Sequence, residues 1–422
     1  MKALTFSILF FAAVALADDF KTIDGREYKN VTVSRVEPDG IVLKTKSGIS
    51  KVYFIELPPD VQNRFQHDAA NAAHASEQAA SQAAYQTHGA QAKQHLAVGN
   101  VTGVDLPDLP PIQETKDKIT DEIWQFRLKT RALYNASKFD ELEALAAQIR
   151  TERGRFANGS WKIYQFYESL GCRSDEPESM WQLHSRIHEN WDAAKPHSIT
   201  ARVAHADFFT EYAWHARGTG YSNKVTKEGW RLFGERLTKA EELLNKSAEF
   251  EPKCPMWWRV RMTVARGQGW SWDDYERLFQ EAKAFEPGFW SYDIAKATYL
   301  LPRWHGQPGE WEYALGLEID QRKGGLGLET YTRVVDAMQS YYTNIFRESK
   351  VSWPLTRDGF ELMRQRYPNS VEILSDYCWL ACLAEDRALA RKLFDELGGR
   401  MVAAIWSDQK NFQNYRQWAY SR

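Results

Sequence analysis

Phe250-Glu251-Pro252 recurs as Phe285-Glu286-Pro287, and Glu241 and Leu243 recur in the same register as Glu276 and Leu278, a spacing of 35 residues. A whole helical segment ending in Glu-Pro is therefore repeated. A period in the mid-thirties is that of stacked helix pairs. A looser third copy lies at Phe360 to Pro368, where an aromatic precedes a proline by eight residues, as Leu244 precedes Pro252 and Phe279 precedes Pro287. Such units cannot bury their apolar faces alone, so the expected architecture is a mainly α helical-repeat solenoid whose surfaces bind other molecules.

Outward from this stretch, helical periods run from Ile119 to the C-terminus. Leu128, Leu133, Phe139, Leu142, Leu145, Ala146 and Ile149 are spaced as an amphipathic pair around a turn at Asn135-Ala136-Ser137. Further helices are expected around Pro177 to Trp191, Ser198 to His215, Thr226 to Phe250, Met256 to Arg266, Trp272 to Phe285 and Ser291 to Leu301. Trp311 to Gln321, Leu328 to Phe346, Thr356 to Tyr367, Ser370 to Leu383, Arg387 to Leu397 and Gln409 to Tyr420 follow. Strand-like alternation is missing from this body, which spans residues 118 to 422. All 17 tryptophans lie at or after Trp124, which sets the body apart from what precedes it.

The N-terminal third reads differently. Residues 1 to 17 carry Lys2, an apolar run from Leu4 to Leu16 and the small-residue site Ala15-Leu16-Ala17 before Asp18. The apolar run is shorter than the ~20 residues a spanning helix needs, so it reads as a cleaved export signal. The mature chain is expected in the periplasm or outside the cell, with no membrane span. Tyr28, Val31, Val33 and Val36, then Ile41 and Leu43, then Ile49, Val52 and Phe54 alternate between the turn residues Pro38-Asp39-Gly40 and Ser47-Gly48. That is a β-meander of three to four strands. Leu57-Pro58-Pro59 closes it, and a short helix follows from Asp60 to Phe65.

Residues 67 to 117 form a linker, first rich in Ala, Gln, Ser and His, then in Pro and Gly. Its first part has no apolar stripe beyond methyl groups, so helix there lacks packing support. A seam of small residues from Ala69 to Ala90 keeps a weak coiled coil open as an alternative.

A net charge of −2 gives no nucleic-acid footprint. Four cysteines are too few for a disulfide framework in an exported chain of 422 residues. Buried free thiols are the favoured reading, with a Cys172 to Cys254 bridge as the alternative.

Two resemblances follow. The segment from Asp24-Gly25 through Tyr28-Lys29-Asn30-Val31-Thr32-Val33 and Val36-Glu37-Pro38-Asp39-Gly40-Ile41 to Glu56-Leu57-Pro58 resembles the small SH3-like module of exported bacterial proteins. It implies a fold over residues 18 to 66, and no reaction. The helical body resembles the exported bacterial DUF4034 group, with a TPR-like fold. The matching stretches include Phe139-Asp140-Glu141-Leu142-Glu143, Arg155-Phe156-Ala157-Asn158-Gly159-Ser160-Trp161-Lys162, Ala216-Arg217-Gly218-Thr219-Gly220-Tyr221 and Leu301-Pro302-Arg303-Trp304-His305-Gly306. This resemblance implies no activity, cofactor or catalytic residue.

The candidate binding surface is aromatic. Arg303, Trp304, His305, Glu310 and Trp311 crowd a loop interrupted by Pro302 and Pro308, and Trp270 and Trp272 flank Ser271. Aromatic and Arg residues are favoured at binding hot spots, although large aromatics equally fill gaps between helices. His184 and His188 share one helical face, and without a third ligand they read as a solvated face and not as a zinc pair. Asp273-Asp274 and Glu310 with Glu312 are the acidic pairs considered for acid-base hydrolysis. Gly324-Gly325-Leu326-Gly327 is an inter-helix turn. No P-loop, nucleophile elbow or Cys-x-x-Cys is present. The expected function is a non-catalytic scaffold, without cofactor or metal, that engages a protein, peptide or cell-envelope glycan. The alternative is a helical glycan-active hydrolase or lyase.

Overall fold

The computed structural model describes residues 18–22, 25–37, 40–45, 48–53, 57–66, 109–115, 117–218, 222–321 and 326–421. The export signal, nearly all of the linker with its four histidines, and Gly324-Gly325 lie outside the described residues. The chain is mainly helical with a small antiparallel sheet near its N-terminus. It divides into two compact units, residues 1–76 with 268–272, and residues 77–267 with 273–422. Trp270 and Trp272 therefore group with the N-terminal unit.

In that unit, strands β1 (Asp18–Lys21), β2 (Glu27–Glu37), β3 (Gly40–Thr45) and β4 (Gly48–Tyr53) pair in sequence order, all antiparallel. Glu37 opposes Gly40 and Thr45 opposes Gly48, so both hairpins close where the turn residues stand. Period-two alternation puts Val31, Ile41, Leu43 and Val52 into one core with Phe20 and Leu57. Helix α1 (Pro59–Gln66) adds Val61 and Phe65, the Phe65 ring lying 6.0 Å from that of Phe20.

The second unit begins with β5 (Gln113–Glu114), followed by α2 (Lys118–Asn135), α3 (Phe139–Glu152), α4 (Lys162–Glu168), α5 (Glu178–Ala194) and α6 (Ile199–Arg217). Next come α7 (Lys227–Lys246), α8 (Pro255–Gln268), α9 (Trp272–Phe285), α10 (Ser291–Tyr299), α11 (Glu310–Gln321) and α12 (Leu326–Gln339). The last elements are α13 (Ile345–Glu348), α14 (Trp353–Arg366), α15 (Val371–Leu383), α16 (Arg387–Leu397), β6 (Arg400–Met401), α17 (Ala403–Trp406) and α18 (Gln409–Tyr420). No described helix is long and apolar enough to cross a membrane.

Helix α7 shows why these segments are helical and where they pack. Thr226 caps it by accepting from the Gly229 amide, and Trp230, Phe233, Leu237, Ala240 and Leu244 recur at alternating steps of three and four to form one buried stripe. The echo shares this register: Leu244, Phe279 and Phe360, each eight residues before its proline, are all buried. They sit in α7, α9 and α14, each followed by a turn and another helix, with α11 to α13 intervening before the third. Phe360 does not fall on a multiple of the first spacing, and one expected helix, Leu328 to Phe346, is broken into α12 and α13. The body is therefore less regular than a uniform period implies.

The body is not free of strands. β5 and β6 pair in parallel, Gln113 opposite Arg400 and Glu114 opposite Met401. Two-residue strands are too short to show as alternation. Nearby, Arg416 donates to the Pro110 carbonyl (2.9 Å), and Asp117 serves two helices at once. Its Oδ1 accepts from the Ile119 amide of α2 (2.8 Å) and its Oδ2 from the Glu372 amide of α15 (2.8 Å). The beginning of the body is thus joined to its end.

All four cysteines are free thiols. The alternative of a Cys172 to Cys254 bridge is not realised; Cys254 is buried with its Sγ 3.5 Å from the Tyr167 hydroxyl.

Candidate functional site

The loop from Leu301 to Trp311 is buried at both ends and at Gly306, half-buried from Pro302 to His305, and exposed at Gln307 and Pro308. Trp304 is half-buried, its ring 5.1 Å from that of Trp214 and edge-on, and the guanidiniums of Arg217, Arg266 and Arg303 lie 5.1, 5.1 and 5.5 Å from its centre. Cations over an indole face are attracted by its quadrupole, so this stack binds the loop to α6 and α8. His305 places Nε2 2.7 Å from the Arg266 carbonyl and its ring 4.7 Å from Tyr299. Glu310 accepts from the Gln307 amide (2.7 Å), stapling the start of α11. Trp311 is only 1% exposed and its indole N–H donates to the Tyr342 hydroxyl (2.8 Å). Trp311 is therefore not a surface residue: its apolar area is worth most between α11 and α12. Trp270 donates to the Gln268 side chain (2.9 Å), and Trp272, 38% exposed, opens α9. Arg303, Trp304, His305, Glu310 and Trp311 belong to the helical body, while Trp270 and Trp272 group with the N-terminal unit.

His184 and His188 are 3% and 1% exposed, which corrects their reading as a solvated face. Trp181, His184, His188 and Trp191 follow steps of three, four and three, so the two histidines occupy the buried stripe that the tryptophans define. Burial holds both imidazoles below their ordinary pKa, His188 most strongly, with neighbouring positive groups adding to it.

The cavity with chemistry lies elsewhere, among α12, α14, α15 and the turn between α3 and α4. Its volume is about 140 Å³, and its walls carry Asn158, Arg333, Asp336, Glu372 and Asp376, with Phe360 among the apolar residues. The turn enters as a small hairpin in which Arg155 pairs with Trp161 and the Phe156 amide bonds to the Ser160 carbonyl (2.8 Å). At its tip Gly159 has φ +83°, and a Cβ there would lie 2.6 Å from both Arg333 and Tyr367. Only glycine allows so close an approach.

Arg333 is already engaged. It donates to Glu329 (3.0 Å) and to the Asn158 carbonyl (2.7 Å) and lies over Trp290 and Tyr367. Burial opposes charge on Glu329, yet Arg333, Arg366 and Tyr367 together hold its carboxyl below the usual range. The three cavity carboxyls fare differently. Burial, then the charge of Glu372, pushes Asp336 up to about 6, with Arg333 only partly offsetting. Burial, then Asp336 and Glu372, raises Asp376 well above the ordinary range. Burial also raises Glu372, whose Oε2 accepts from Thr120 (3.1 Å) and Asn158 (3.4 Å). Asp336 and Asp376 are half-buried and line the cavity, and burial is the first cause of the raised pKa of each. No ion pair holds either of them among the described residues.

This has a measurable consequence. A carboxyl whose folded pKa is raised favours the neutral acid, so its contribution is present below the unfolded value and is lost as pH rises through about 6. Asp336→Asn is expected to stabilise the protein at pH 7.5 by about 1–2 kcal/mol, a two-unit shift discounted for water in the cavity, and to leave stability unchanged at pH 3.5. Thermal melts at both values check this; destabilisation at pH 7.5 would mean that the carboxylate is held charged.

These residues were not among the sequence candidates. Glu372 and Asp376 stand one turn apart, as do Arg333 and Asp336, but nothing local announces that α12 and α15 bring them together. The acidic pairs considered instead have other roles: Asp274 pairs with Arg277 (3.1 Å), and Glu312 is buried and accepts from the Lys350 amide (3.2 Å). No protein-family model, curated protein or solved structure matches this chain.

Proposed function

We propose that the chain is an exported, non-catalytic binding protein in which a TPR-like helical body, preceded by an SH3-like module, takes a lysine or arginine side chain of a protein partner into its acidic cavity. The observation that carries this reading is the charge balance around the cavity. Three carboxyls face it, while Arg333, the one basic residue in its walls among the described residues, is neutralised by Glu329. Enclosed carboxylates without a counter-ion are costly, and an entering ammonium or guanidinium removes that cost through charge-assisted hydrogen bonds. Size supports the same reading. At about 140 Å³ the cavity is below the ~300 Å³ at which small-molecule sites begin, and it suits one side-chain head group better than a glycan chain.

Because the ligand requires ionised carboxyls, its affinity is expected to rise with pH and to fall about tenfold per unit below pH 6. Calorimetry with N-acetyl-arginine amide and N-acetyl-lysine amide from pH 5 to 8 checks this, with Asp376→Asn losing at least tenfold. Binding that is flat with pH, or unchanged in Asp376→Asn, overturns the reading. The separated titration of the carboxyls favours a second reading, since an acid-base pair needs one neutral and one charged member. Turnover of cell-envelope glycan fragments that disappears in Asp376→Asn would establish the hydrolase or lyase instead.

A further inference from the structure

A second polar cluster lies between the α4–α5 connection and helices α2, α5 and α6, apart from the acidic cavity. Cys172 and Glu176 stand in the connection, His184 on α5 and Glu211 on α6. One ligand atom each from Cys172, Glu176 and His184 lie within 4.8 Å of one another. Atoms bound to one tetrahedral zinc at ~2.0–2.3 Å stand roughly 3.3–3.8 Å apart, so the three need only close in by about an ångström. Glu211 borders the group: a Cβ on Gly171, the residue before Cys172, would meet its carboxylate, the nearer oxygen lying within 2.7 Å. Independently, the Glu176 Oε2 and Glu211 Oε2 atoms are buried with no hydrogen-bond partner among the described residues. Buried carboxylate oxygens are seldom left so.

We propose that Cys172, Glu176 and His184 bind a divalent transition-metal ion of zinc's class, with Glu211 supplying the fourth ligand. Thiolate, imidazole and carboxylate together suit zinc and cobalt better than the hard ions magnesium and calcium. The Tyr134 hydroxyl, 3.2 Å from His184 Nδ1, orients the ring as an outer-shell partner and leaves Nε2 for the ion. Arg131 is the cation that now faces the group, with Nη1 3.5 Å from Nε2 and a bond to the Gly171 carbonyl. The ion displaces it from Nε2, and the Cys172 thiol and the Glu211 carboxyl, which burial keeps protonated, each release a proton to solvent as their bonds to the metal form. Burial, then the charge of Glu176, pushes that thiol up to about 12, so the ion itself must stabilise the thiolate. His188 takes no part; its ring stacks on His205 and lies tilted against Tyr134, 5.2 Å away.

Equilibrium dialysis of untagged, chelator-stripped full chain against Zn²⁺ and Co²⁺ tests the site. One ion per chain is expected, the cobalt form showing a thiolate-to-metal charge-transfer band. Cys172→Ser should abolish that band and weaken binding at least tenfold, and Tyr134→Phe should weaken it about tenfold without removing the band. The near-isosteric serine keeps the test valid, with circular dichroism of the metal-free variant as the fold control. Absence of stoichiometric binding, or an unaltered band and affinity in Cys172→Ser, overturns the proposal.

Discussion

Gly306→Ala is expected to destabilise the helical body by about 3 kcal/mol or more, the upper range for overpacking, although it adds one methyl group. That methyl would lie 2.4 Å from the Leu300 carbonyl carbon and 2.7 Å from its Cα, and closer still to the carbonyl oxygen. These are backbone atoms at the end of α10, so no rotamer change can make room. Shifting the loop would break the bonds that terminate the helix: the Trp304 amide to the Leu301 carbonyl (2.8 Å), the His305 amide to the Tyr299 carbonyl (3.1 Å) and the Gly306 amide to the Leu301 carbonyl (3.3 Å). Denaturant melts of the two proteins measure the difference. A loss under about 1 kcal/mol would show that the loop has slack.

Trp311→Ala should cost about 3–5 kcal/mol, the usual range for deleting a buried tryptophan from a core that cannot collapse. The indole is enclosed, and its N–H bond to Tyr342 links α11 to the end of α12. Trp311→Phe separates the two contributions, because it keeps most of the apolar area and loses only the hydrogen bond, worth about 1 kcal/mol. If Trp311→Ala left stability intact while abolishing capture of a partner, the residue would be a surface anchor and its buried placement would be wrong.

The helical pattern was legible because apolar period and turn chemistry agree locally, as in α16 and α18, whose expected limits, Arg387 to Leu397 and Gln409 to Tyr420, coincide with the observed ones. The sheet was legible for the same reason, with its turn residues where the strands reverse. The cavity was not. Asn158, Asp336 and Asp376 belong to three distant segments, and proximity in space between such segments leaves no local trace. Adjacent carboxylates such as Asp273-Asp274 drew attention instead, though neighbours on a helix surface ordinarily face water. The histidines show a signal that could have been used: a stripe marked by Trp181 and Trp191 buries whatever lies on it, polar or not.

The joining of the body's start to its C-terminal elements limits how the body can change. An open array of helix pairs tolerates the gain or loss of a unit at either end, since each copy meets only its neighbours. Here Asp117 serves α2 and α15 together, and β5 pairs with β6. A duplicated pair would push these partners apart, and a deletion would leave Asp117 without its second helix. The seam therefore opposes insertion or loss of helices between its two sides and leaves side chains and loops as the parts free to diverge.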